Sequence, residues 1–69
     1  MSDETTFIPP SSSHIEQVDW DPESEDLTVT YTGGEQYMAR NWTRPMWRAL
    51  QQAPSTGSYL RTHFRGAPI

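Results

Sequence analysis

Cysteine and lysine are both missing from these 69 residues, acids are missing after Glu35, and bases are missing before Arg40. Without cysteine there is no disulfide scaffold and no thiolate zinc site. No apolar run approaches the roughly 18 residues that suggest a membrane span, and the acidic start lacks the basic and apolar regions of a secretory signal. These absences predict a cytoplasmic chain with no membrane association. The chain is also short on bulk: at about 60 residues a domain buries only about 60% of the surface its unfolded form exposes. One small domain is therefore the ceiling, with no room for a cofactor fold and its substrate pocket. The reading is of a monomeric, non-enzymatic protein with no cofactor and no small-molecule substrate.

What is present is ordered by sign. Nine Asp and Glu lie between Asp3 and Glu35 and five Arg between Arg40 and Arg65, so a net charge of −4 conceals a −9 half followed by a +5 half. Residues 1–13 hold two prolines, four serines and no sustained periodicity, and are predicted to be a flexible arm that cannot offset its ordering entropy. Phe7 and Ile8 are the exception within it. They either dock on the domain or form a short linear docking motif for a partner. The domain proper is predicted over residues 14–66, with 67–69 a short tail.

Within 15–20, Val18 and Trp20 share one face of a short strand, and the acidic, turn-rich segment 21–26 follows. Residues 27–32 alternate without a fault, with Leu27, Val29 and Tyr31 facing inward and three threonines outward. Gly33 and Gly34 mark a hairpin, and residues 35–40 return as the third strand. A strict two-residue turn would set Tyr37 opposite Thr30 on the wet face. A three-residue loop with a glycine bulge instead sets Tyr37 opposite Val29 and Ala39 opposite Leu27. A one-residue slip moves every side chain to the other face, and only the second register buries Tyr37.

The period turns helical after Asn41. Thr43 is a natural N-cap, Pro45 fits the first turn, and Trp42 and Trp47 stand at the two positions of a hydrophobic staple. Met46, Trp47, Leu50 and Ala53 form an apolar stripe that Pro54 ends. Ser55 can cap a second helix carrying Tyr59, Leu60, His63 and Phe64 on one side, with Gly66 as its stop. The predicted fold is α+β: a three-stranded antiparallel β-meander followed by two short α-helices packed on one face.

These residues in this order resemble the KTSC domain family. The likeness runs from Ser12 to Gly66: Ser-Ser-His-Ile at 12–15 with Val18, Trp-Asp-Pro-Glu-Ser at 20–24, the Leu-Thr-Val-Thr-Tyr strand at 27–31, Gly33-Gly34-x-x-Tyr37, Trp47-x-x-Leu50, Ala53-x-Ser55-x-Gly57-x-Tyr59, and the closing Phe64-Arg65-Gly66. The resemblance implies a short domain that occurs alone in bacterial and phage proteins and at the C-terminus of some lysyl-tRNA synthetases, for which RNA binding has been suggested. The family's central Tyr-x-Tyr reads Tyr37-Met38-Ala39 here, and its helix-opening Val-Pro reads Trp42-Thr43. Without the second tyrosine, the motif is not expected to be a base-stacking platform.

The arginines carry the functional signal. Arg44 and Arg48, then Arg61 and Arg65, stand four apart on the two predicted helices, and neither helix contains an acid. Like charges at that spacing cost an isolated helix about 0.2–0.5 kcal/mol per pair, and a cation at Arg44 opposes the dipole at a helix start. Something must compensate: the chain's own acids (Glu23, Glu25, Asp26 or the arm), the phosphates of RNA, or an acidic protein surface. An overall −4 with an acidic arm repels phosphate, which favours a protein partner. Arg40 and Trp42, at the strand-to-helix junction, are the predicted exposed recognition residues, and with Arg44 they have hot-spot composition. Should Trp42 not be exposed, it joins Trp20, Tyr31, Tyr37, Trp47, Tyr59 and Phe64, which are assigned mostly to the core. Ser11 to Ser13, His14 and Asp19 include triad residue types but no rigid scaffold, and His14 and His63 lack metal-ligand spacing. The expected function is a non-catalytic binding or regulatory module, of the kind phages direct at transcription or translation machinery, docking a protein through Arg40, Trp42, Arg44, Arg48, Arg61 and Arg65. The alternatives are an RNA-binding module and an accessory domain whose charges neutralise internally.

Overall fold

The computed structural model describes residues 5–10 and 13–69. The chain forms β1 (Thr6–Phe7), β2 (Ile15–Asp21), β3 (Asp26–Tyr31), β4 (Gln36–Ala39), α1 (Arg44–Gln52), α2 (Thr56–His63) and β5 (Ala67–Pro68). The five strands make one antiparallel sheet in the order β1-β2-β3-β4-β5. The α+β class is as expected, but among the described residues the strand number is five rather than three.

The two extra strands are the corrections at either end. Within the expected arm, Thr6 pairs with Asp19 and Phe7 with Val18, and the backbone N–H of Trp20 donates to the carbonyl of Thr5 at 2.8 Å. Residues 1–4 and 11–12 of that arm, with Ser11 and Ser12 among the triad types, lie outside the described residues. In the expected tail, Ala67 and Pro68 pair with Met38 and Tyr37. Two-residue strands have no period to read. They form because a β-sheet edge offers unpaired N–H and C=O groups to any extended segment brought beside it.

The central meander follows its pattern. Val29 pairs with Tyr37 and Leu27 with Ala39, the register expected of a three-residue loop. Gly34 has φ +96, the left-handed conformation that only glycine adopts without strain, and its N–H donates to the Tyr31 carbonyl at 2.8 Å. A bulge in β2 between Ile15 and Gln17 shifts the strand's parity, so Ile15 joins Val18 and Trp20 on the buried face.

The helices cover that face. Ile15, Val18, Trp20, Leu27, Val29, Trp42, Trp47, Leu50 and Leu60 form one core, with Phe7, Tyr31, Met46, Tyr59 and Phe64 packed around it. Thr43 Oγ1 accepts from the Met46 N–H at 3.4 Å and Ser55 Oγ from the Ser58 N–H at 3.3 Å, so both expected N-caps form. Trp20 and Trp47 stack at 5.7 Å with an interplanar angle of 17°, and Phe7 meets Trp47 edge-on at 6.5 Å. Phe7 thus docks on the domain, while Ile8 beside it is 66% exposed.

Two glycines differ from expectation. Gly66 is not the helix stop: α2 ends at Phe64 in an extended conformation, and a Cβ on Gly66 would strike the Phe64 ring. Gly57 lies in the first turn of α2, where a Cβ would meet nothing within 4 Å. Alanine there narrows the unfolded ensemble, so Gly57→Ala is expected to stabilise the chain by about 0.4–1 kcal/mol. At about 4–8 °C per kcal/mol this is a Tm rise of roughly 2–8 °C by circular dichroism. A lowered Tm would mean that the backbone, not the side-chain space, needs glycine.

Candidate functional site

The helix layer is the basic side of the molecule. No acid occurs in residues 41–69, and Arg40, Arg48, Arg61 and Arg65 are exposed and make no ion pair among the described residues. The opposite face of the sheet is neutral or acidic. There Asp19 accepts from Thr6 Oγ1 at 2.7 Å and from Gln17 Nε2 at 2.9 Å, so its carboxylate is held within the sheet. Asp21, Asp26 and Asp19 border a cavity of about 430 Å³ beside the β2–β3 turn. The Glu23 N–H donates to Asp21 Oδ1 at 2.9 Å, which stabilises the carboxylate and holds the Asp21 pKa below its ordinary value. Among the described residues, no group of three His, Cys, Asp or Glu could hold a metal ion.

The expected recognition residues divide. Trp42 is not exposed: it is 1% accessible and is one of the largest fully buried side chains. Its N–H donates to the Glu25 carbonyl at 2.8 Å and its carbonyl accepts from Trp20 Nε1 at 2.6 Å, while its ring meets Tyr59 and Phe64 edge-on. The physical reason is its place at the junction of sheet and helices, where an indole fills the space between the layers. Arg44 is half-buried with its guanidinium 5.1 Å above the Trp20 ring, a cation–π contact that assigns it to the fold. That contact also offsets the unfavourable charge at the start of α1.

Arg65 lies beyond the end of α2, so the expected second i, i+4 pair does not form on a helix. Arg61 stands in the last turn of α2, where the dipole favours a cation. An exposed Arg40–Trp42–Arg44 patch therefore does not form. Arg40, Arg48, Arg61 and Arg65 remain as the exposed cations.

A second feature was not legible in the sequence. Where β2 begins and β3 ends, a cavity of about 500 Å³ opens against α2, lined by His14, Ile15, Tyr31, Gly57, Leu60, Arg61 and Phe64. It shares His14 and Tyr31 with a neighbouring cavity of about 460 Å³ that reaches Tyr37, Glu35 and the β3–β4 loop. Tyr37, expected in the core, is half-buried and sets its ring edge-on to Tyr31 at 5.6 Å, outside the core cluster. Burial, and then the neighbouring Tyr37, raise the Tyr31 pKa above its usual value, so its hydroxyl remains a donor well past neutral pH. The one sequence signal was Gly57, a helical glycine that no turn requires.

A small two-layer α+β domain with a basic helical side and an open, acidic sheet side is the class these features define. Residues 11–67 match the KTSC domain family, and the chain belongs to it. Among the curated proteins no match was found.

Proposed function

We propose that the domain is a non-catalytic docking module whose helix layer binds an acidic surface on a partner protein through Arg48, Arg61, Arg65 and Arg40. One observation carries this reading: the four exposed arginines have no ion pair among the described residues, and the two helices, which carry Arg48 and Arg61, contain no acid. A helical surface selected only for solubility mixes in glutamate. Arg is also suited to planar, bidentate contact with carboxylates. Among the described residues, Asp19, Asp21 and Asp26 lie on the sheet's open face and the β2–β3 turn, apart from the helices that carry Arg48 and Arg61, which suits a partner that must bind in one orientation.

Capture from a lysate of the source cells tests the proposal, using the immobilised chain beside its Arg48→Glu/Arg61→Glu/Arg65→Glu variant, after nuclease treatment and across a salt series. A protein held by the wild type, released as salt rises and lost with the variant is the expected outcome. Nothing above background, or equal retention by both, would count against it. Anisotropy titrations with RNA run in parallel. Tight low-salt binding that falls steeply with salt and weakens in the variant would transfer the same arginines to phosphate recognition.

A further inference from the structure

We propose that the cavity between α2 and the β2–β3 end receives the C-terminal residue of a partner polypeptide, taking up a large apolar side chain together with its α-carboxylate. The inference rests on the docking reading and gives the chemistry of one contact within it. Ile15 and Leu60, both buried, form an apolar floor, and Tyr31 and Phe64 supply half-buried aromatic walls. Arg61 brings a guanidinium to the lining, and no acid is among the described residues that line this cavity. The volume of about 500 Å³ falls within the range of formed ligand sites.

Arg61 lines the same cavity as the apolar floor. A ligand that satisfies both needs an apolar group and a negative charge within one small moiety. A chain-terminal residue has both, whereas an internal residue has one or the other. Tyr31, which also lines the cavity, carries a hydroxyl able to donate. Gly57 supports the assignment independently. It costs α2 stability, the fold has no clash or positive φ to require it, and it leaves bare backbone along the cavity wall. Glycine is the residue that permits close approach of backbone to a ligand.

The test is a titration of the ¹⁵N-labelled full chain, followed by amide chemical shifts, with N-acetyl-phenylalanine and with N-acetyl-phenylalanine amide. The acid is expected to shift Gly57, Leu60 and Arg61 saturably, and the amide to bind more weakly by up to about fivefold for loss of the charged contact. Arg61→Gln should bring the acid down to the level of the amide. Gly57→Leu should abolish both responses while the spectrum stays folded, because its side chain fills the cavity. No saturable shift, equal binding of acid and amide, or an unchanged response in Arg61→Gln would overturn the proposal. So would adenosine 5′-monophosphate binding at the same amides more tightly than the acid. Loss of the cavity response with arginine-dependent capture intact retires this contact and keeps the docking face; the reverse pattern retires the face.

Discussion

Trp42→Ala is expected to remove about half or more of the chain's stability. Truncating a buried tryptophan costs about 3–5 kcal/mol, and a chain of this length has roughly 3–10 kcal/mol of stability in total. The loss is at the upper end because Trp42 joins three elements. Its backbone is tied to the β2–β3 turn through Glu25 and to β2 through the Trp20 indole, while its ring supports Tyr59 and Phe64 of the α2 region. Thermal and urea melts followed by circular dichroism check this, and a Tm within a few degrees of wild type would contradict it. Trp42→Phe separates volume from polarity. The Trp42 Nε1 hydrogen is buried and has no acceptor, a state that costs about 1–3 kcal/mol. Phenylalanine removes that cost while keeping most of the ring contact, so it should destabilise much less than alanine.

Gly66→Ala should be the second largest loss, about 1–3 kcal/mol as expected for an overpacked site, or roughly 4–8 °C of Tm for each kcal/mol. The added methyl would occupy the place of the Phe64 ring, and that ring is held edge-on to Trp42 at 6.2 Å. Either the ring leaves the core or β5 leaves the sheet. Adding Phe64→Leu tells the two apart: if the clash is with the ring, the double variant should lose less than the sum of the single losses. Strict additivity would place the damage in the β5 backbone. Set beside Gly57→Ala, which should stabilise, the pair distinguishes a glycine required by packing from one that the fold does not use.

Sequence pattern foretold the parts of the fold in which period and caps act over several residues. The alternation of Leu27 to Thr32 and the Gly33–Gly34 loop were enough to set register, because only one pairing buries Val29 and Leu27 together with their partners. Thr43 and Ser55 marked both helix starts. Trp42 was read wrongly for a physical reason: a junction residue has neither the period of a strand nor that of a helix, so its side chain's direction depends on how the layers close. Gly66 looked like a cap because C-cap glycine is common, yet the last turn of α2 closes on Phe64 without a left-handed residue. The segregation of arginine from acid was visible at once. The cavity was not, since His14, Tyr31 and the Arg61–Phe64 turn come from separate segments that only the completed sheet and α2 bring together.

The sheet's two borders have a consequence for how the molecule meets others. Each outer strand is two residues long, and the one at the C-terminal side contains Pro68, which has no N–H to offer. A neighbouring chain seeking to add a strand beside either outer strand would find only two residues to pair with, which disfavours stacking into filaments and recruitment of partners through those strands. At high concentration the protein should stay dispersed, and selective contact is left to side chains rather than backbone.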